Sequence, residues 1–181
     1  MIKRVWAIVL LVIVGFGLQS CSSLGASFNS YVDNYDGYQF LYPTGWVEYS
    51  KATDGPDVVF HDIIQETENV SVVMSPVPEA KTLSDLGTPT EIGQRIAQKV
   101  LTSDAADRKA ELVSAAQREV DGSTYYLLEY EVNLPGQKRH NLASAVVRRG
   151  QLYTFNASTT EDRWERMKDT FKQVVSSFSV Y

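Results

Sequence analysis

Glu111-Leu112-Val113-Ser114-Ala115-Ala116-Gln117-Arg118-Glu119-Val120-Asp121-Gly122 leads, after Ser123-Thr124, into Tyr125-Tyr126-Leu127-Leu128-Glu129-Tyr130-Glu131-Val132. Asp-Gly between two β-prone runs is the strongest short-range hairpin signal in the chain, because the tightest hairpin turns need positive φ at both central residues. The pattern continues downstream. Pro135-Gly136 precedes the run Leu142–Val147, and Arg149-Gly150 precedes Leu152-Tyr153-Thr154-Phe155-Asn156-Ala157. Turns this short cannot make parallel crossovers, so consecutive strands are predicted to run antiparallel.

Upstream, Tyr38-Gln39-Phe40-Leu41-Tyr42 is aromatic and β-prone, and Pro43-Thr44-Gly45 makes a turn before Trp46-Val47-Glu48-Tyr49. Asp57–Asp62 and Asn69–Met74 read as further strands, stopped by Pro76 and Pro78. Helical signals lie on both sides of the hairpin series. Thr88-Pro89-Thr90-Glu91 offers a capping hydroxyl, a proline suited to the first turn and a glutamate that completes a capping box. Ile92, Ile96, Val100 and Leu101 follow on one face, so a helix is predicted to about Leu101. Near the C-terminus, Thr159 or Thr160 is placed to cap a second helix, with Glu161 and Asp162 at its positive end. Trp164, Met167, Phe171, Val174, Val175 and Phe178 form its broad apolar stripe. Two amphipathic helices beside an antiparallel sheet bury their faces only by packing on it, which defines an α+β domain.

The chain has 181 residues and a formal charge of −5. Its size permits one domain whose core needs no disulfide or metal. Lys3 and Arg4 precede an apolar run from Val5 to Leu18, broken only by Gly15 and Gly17. That run is shorter than the ~20 residues that span a bilayer comfortably and has the flanks of a secretory signal. The sequence Leu18-Gln19-Ser20-Cys21 resembles the bacterial lipobox and contains the single cysteine. The expected organisation is a lipoprotein signal peptide over residues 1–20, a lipidated flexible tether over 21–32 and a folded domain over 33–181. An uncleaved anchor and cleavage near Ala26 are the alternatives. Removing the leader leaves 15 basic against 22 acidic side chains, a net charge of −7. This acidity argues against non-specific nucleic-acid binding and against polybasic attachment to anionic lipid. Membrane residence therefore falls to the lipid on Cys21, and more than one acyl chain makes such anchoring stable.

Several segments together resemble the PsbP family of photosystem II extrinsic proteins, most closely its lipidated cyanobacterial form. They are Tyr35-Asp36-Gly37-Tyr38-Gln39-Phe40-Leu41-Tyr42-Pro43-Thr44-Gly45-Trp46, Asp57–Asp62, Asn69-Val70-Ser71-Val72, Gly87-Thr88-Pro89, Tyr125–Tyr130, Arg139-His140 and Arg163-Trp164. The resemblance implies an α/β/α sandwich of the Mog1p/PsbP type, with helices flanking a central antiparallel sheet. It implies the lumenal side of the thylakoid membrane and a non-enzymatic role in the assembly, stability or oxygen-evolving complex of photosystem II. Plant members carry a longer N-terminal segment that contributes to docking and to retaining calcium and chloride. Here a short linker follows Cys21, which favours an accessory or assembly role.

Candidate site residues are few. His61, Asp62 and His140 suggest a divalent-metal site for calcium, zinc or manganese, since imidazole and carboxylate suit such ions. The bland reading is two partly exposed histidines at strand ends. Asp33-Asn34-Tyr35-Asp36-Gly37 lacks the ligand spacing of an EF-hand and reads as a turn. Arg139, Arg148 and Arg149 form basic clusters on an acidic protein and could meet acidic lumenal loops of a partner. Glu129 and Glu131 share one strand face and are expected to be solvated. Tyr38, Phe40, Tyr42 and Trp46 are expected in the core. The sequence contains no nucleophile elbow, phosphate-binding glycine loop or HExxH motif, so it gives no basis for an enzyme.

Overall fold

The structure, a computed structural model, describes residues 26–49, 55–78, 81–101 and 108–181. In chain order the strands and helices are β1 (Phe28–Asp33), β2 (Tyr38–Pro43), β3 (Trp46–Glu48), β4 (Val58–Asp62), β5 (Asn69–Pro76), α1 (Leu83–Leu86) and α2 (Pro89–Ile96). They continue with β6 (Lys109–Val120), β7 (Ser123–Leu134), β8 (Gln137–Arg148), β9 (Gln151–Thr160), α3 (Glu161–Ser177) and β10 (Ser179–Val180). α2 runs directly into a π-helical turn over Ala97–Leu101, so the predicted helix length is met with a change of winding.

The predicted hairpin series is present. Asp121 and Gly122 both have positive φ, as do Arg149 and Gly150, which is the backbone that two-residue hairpins require. Pro135-Gly136 turns β7 into β8, with Leu134 opposite Gln137. A seven-stranded antiparallel sheet results, in the order β3-β4-β5-β9-β8-β7-β6. β8 and β9 extend beyond their apolar runs, because the backbone ladder continues past polar side chains such as Arg139, His140 and Asn141.

Strand alternation divides the core in two. Tyr125, Tyr153, Phe155 and Ala157 face α3, while Tyr126, Leu128, Tyr130, Ala143 and Ala145 face α2. The result is the expected helix–sheet–helix sandwich. α2 begins as its sequence dictates: Thr88 Oγ1 accepts from Glu91 N–H at 3.3 Å, and Glu91 Oε2 accepts from Thr88 N–H at 2.8 Å. α3 departs from expectation. Thr160 occupies the cap position but makes no side-chain capping bond, and the Thr159 hydroxyl is drawn to Glu68 instead, at 3.2 Å.

A second sheet was not expected. β1, β2 and β10 form a three-stranded layer beside α3. This corrects the extent of the tether. Phe28–Asp33 is not linker but an antiparallel partner of Tyr38–Pro43, and Phe28 and Tyr31 pack on the core. The strand alternates poorly and is half exposed, so periodicity gives no signal for it. The folded part starts by Phe28 rather than at Asp33. The expected signal peptide over 1–20, Cys21 and the first tether residues lie outside the described residues.

Candidate functional site

α3 is fastened to the large sheet by two polar clusters at its first turn. His140 on β8 points to the α3 side and is 4% exposed. Its Nδ1 lies 2.9 Å from Oε2 of Glu161, the first residue of α3. Its Nε2 lies 2.8 Å from Oε1 of Glu129 on β7. The ring stacks on Trp164 with centroids 3.8 Å apart and planes 12° from parallel. Glu129 also accepts a hydrogen bond from Ser114 on β6 at 3.0 Å. The second cluster centres on Glu68, 2% exposed, which accepts from Arg163 on α3 and from Thr159. Burying carboxylates is costly unless their oxygens are hydrogen-bonded, and both clusters meet that condition.

This geometry revises two expectations. His140 is not a partly exposed strand-end residue but a buried one within β8. Glu129 is not solvated like Glu131: it is partly buried and held by His140 and Ser114, whereas Glu131 is exposed. The proposed metal trio is not brought together. β4, carrying His61 and Asp62, is separated from β8 by β5 and β9, which at the usual strand spacing places them roughly 14 Å apart. Asp62 Oδ1 instead accepts from the backbone of Ile64 and Gln65, both at 2.7 Å, and so shapes the turn after β4.

A different acidic group does converge. Oxygens of Asp33, Asp36 and Asp57 lie within 4.8 Å of one another. Asp33 Oδ1 caps the turn after β1 through the N–H groups of Tyr35 and Asp36, at 2.9 and 2.8 Å, so the turn reading of residues 33–37 holds. Asp57 accepts from the hydroxyl of Tyr38. Burial of Tyr38, and then this bond, push its hydroxyl pKa well above the usual tyrosine value. Sequence reasoning missed Asp57 because only the tertiary fold brings it to the turn. The core expectation for Tyr38, Phe40 and Trp46 is met, all three being buried.

The three arginines serve different ends. Arg148 is exposed at the end of β8. Arg149 reaches over the turn at Gly37 to the carbonyl of Asp36 and to the Tyr153 hydroxyl, 3.4 Å away. Gly37 has φ +68°, which favours glycine, and a Cβ there would lie 2.3 Å from the Arg149 guanidinium, so any side chain would also displace that contact. Arg139 lies on the opposite sheet face from His140 and donates to Ser158 Oγ and the Thr67 carbonyl.

A large antiparallel sheet covered by α1 and α2 on one face and by α3 with a small sheet on the other is the α/β/α sandwich of the Mog1p/PsbP class. The chain belongs to the PsbP family, whose model matches residues 26–180. It is 46% identical to CyanoP of Thermosynechococcus vestitus, over all of both chains. It is 47% identical to CyanoP of a Synechocystis species, covering 93% of this chain and 92% of that one. PsbP-like protein 1, chloroplastic, of Arabidopsis thaliana is 38% identical, with 82% of this chain and 62% of that protein aligned. The solution structure of CyanoP from Synechocystis superposes with a TM-score of 0.75 at 48% identity, over 91% of this chain and 99% of that one. The Ran-binding protein Mog1p of Saccharomyces cerevisiae shares the fold, with a TM-score of 0.52 at 11% identity over 86% and 96% of the two chains.

Proposed function

We propose that this is a non-enzymatic lipoprotein of the thylakoid lumen that associates with photosystem II and supports its assembly, stability or oxygen-evolving complex. The observation that carries this reading is the full-length similarity to CyanoP, joined to a leader that ends at the only cysteine. The polar clusters under α3 are compatible with it, because their groups hold the helix to the sheet rather than converge on a substrate. The start of the fold at Phe28 shortens the reach. Seven residue steps from Cys21 span at most roughly 25 Å, which keeps the domain against the membrane surface. Of the three arginines first considered for partner contact, Arg148 is the one whose exposed side chain suits it, at the rim of the large sheet.

Crosslinking in native thylakoids, followed by identification of the captured protein, tests the association. Photosystem II subunits or assembly intermediates are the expected partners. Recovery of unrelated membrane complexes alone would refute the reading. Cys21→Ser is expected to lose the acylated mass and the crosslinks together. An acylated mass in that variant would overturn the anchor.

A second reading is a lipid-anchored protein that binds calcium, zinc or manganese. Asp33, Asp36 and Asp57 favour it over the His61, Asp62 and His140 set, because their oxygens converge. Oxygen ligands of this kind suit calcium or manganese better than zinc. Calorimetry at neutral pH is expected to show calcium binding that Asp57→Asn abolishes. Absence of heat with all three ions removes this reading and leaves the first intact.

A further inference from the structure

On the α2 side of the large sheet, the described helices pack over Tyr126 to Val132, and the described residues beyond them leave a hollow near Val132 and Leu134. A recess of about 350 Å³ lies there. Its apolar wall is Val132 and Leu134, and its polar wall includes Arg108 and Arg139. The strand register explains the pairing. Arg139 stands directly opposite Val132. Arg108 precedes Lys109, which pairs with Asn133, and has the same parity as Ala110, which packs on the α2-side core. Two residues 31 positions apart thus bring guanidinium groups to one hollow.

The remaining lining points the same way. Arg139 donates to Ser158, the Ser158 hydroxyl donates to Asn141 Oδ1 at 2.9 Å, and the Asn141 amide donates to Asn156 Oδ1 at 3.3 Å. The chain of bonds uses up acceptors and leaves donors. Nε of Arg108 is buried with no hydrogen-bond partner among the described residues. No acidic side chain is among the described residues that line the recess. Burial, and then the charge of Arg108, lower the Arg139 guanidinium from its ordinary value. Two partly buried guanidinium groups that face one hollow, with no carboxylate among its described lining residues, repel each other unless an anion joins them. Guanidinium forks match the oxygens of carboxylates and phosphates.

We propose that this recess binds a small oxyanion, a carboxylate or phosphate group held between Arg108 and Arg139, with any apolar portion of the ligand lying on Val132 and Leu134. The oxyanion can be the head of a soluble metabolite or of a lipid. The site is remote from the His140 cluster, which lies on the opposite face of the sheet, and it is independent of any docking role.

The full chain in neutral detergent is titrated with inorganic phosphate, citrate and the soluble short-chain lipid dihexanoylphosphatidylglycerol, followed by calorimetry and thermal unfolding. Saturable binding with a rise in unfolding temperature is expected. Arg108→Gln is expected to weaken it about tenfold, the worth of one charge-assisted hydrogen bond. Without anion the same variant should be as stable as the native protein or more so, since it removes a buried Nε that has no hydrogen bond among the described residues and relieves the repulsion of Arg139. Arg139→Gln should weaken binding too, but also lowers stability through its lost bonds to Ser158 and Thr67. Lys172→Gln, which makes the same charge change on exposed α3, should bind normally. Binding of phosphate or citrate assigns a soluble ligand, whereas binding of the lipid alone with the same arginine dependence assigns a headgroup. Absence of saturable binding by every probe, or equal affinity in Arg108→Gln, overturns the proposal.

Discussion

Phe155→Ala is expected to lower the unfolding free energy by about 3–5 kcal/mol, in the upper range for removal of a buried aromatic ring. The reason is its position. β9 is the central strand of the seven-stranded sheet, and Phe155 is fully buried on it. Its ring centroid lies 4.5 Å from Phe40 in β2 and 5.0 Å from Phe178 just after α3. One side chain therefore joins the large sheet, the small sheet and the end of the last helix. Its neighbours are themselves rings held by other contacts: Phe40 stacks with Tyr38, and Phe60 meets Phe40 edge-on. Rigid walls collapse poorly into a cavity, which keeps the cost high. Denaturant unfolding should show a lower midpoint at unchanged slope. Phe40→Ala should combine with it less than additively, since the two share one contact. A loss for Phe155→Ala of under about 1.5 kcal/mol would show that the surrounding rings relax into the vacated space.

The parts of this fold that are legible in the sequence are those fixed by neighbours along the chain. Asp121-Gly122 and Arg149-Gly150 force tight hairpins whatever else the protein does, and Thr88 with Glu91 starts α2 unaided. The small sheet is not legible in that way. Ser179 pairs with Gln39, 140 residues away, in a strand of two residues that carries no pattern. β1 reads as linker because its polar residues conceal a strand that serves as cover for β2. The same limit governs the sites. Strand parity puts Glu129 and Glu131 on one face, but parity cannot say which of them a buried histidine will engage. Arg139 and His140 are adjacent in sequence and were read as one basic cluster, yet alternation sends them to opposite layers with different chemistry. His61, Asp62 and His140 share only their residue types as metal ligands, and the strand order keeps them apart. Asp57 and Arg108 carried no local signal, since each matters only through a partner far along the chain.

His140→Ala has the second large effect. It strips both Glu129 and Glu161 of their shared partner and leaves Trp164 without the ring stacked on it. Loss of a hydrogen-bond partner for a partly buried charged group costs about 1–3 kcal/mol, and loss of the aromatic stack adds about 0.5–1.5 kcal/mol. The burden is unequal. The Glu161 side chain is 40% exposed and can turn to water, whereas that of Glu129 is 25% exposed and is hemmed in by β6. Most of the cost should therefore reside on Glu129. His140→Phe separates the two contributions, because it keeps a ring on Trp164 but offers the carboxylates nothing. It should remain clearly destabilised while recovering the stacking share. Introduced into Glu129→Gln, which removes the stranded charge, His140→Ala should cost markedly less than in the native background, and unfolding measurements on the four proteins of that cycle give the coupling directly. Equal costs in both backgrounds would mean that the imidazole acts here only as a packing surface. A positive coupling instead makes the carboxylate–imidazole–carboxylate bridge the clamp that sets where α3 begins. Weaker helix anchoring should then appear as faster amide exchange in the first turn of α3, while the hairpins β6–β7 and β8–β9 keep their protection.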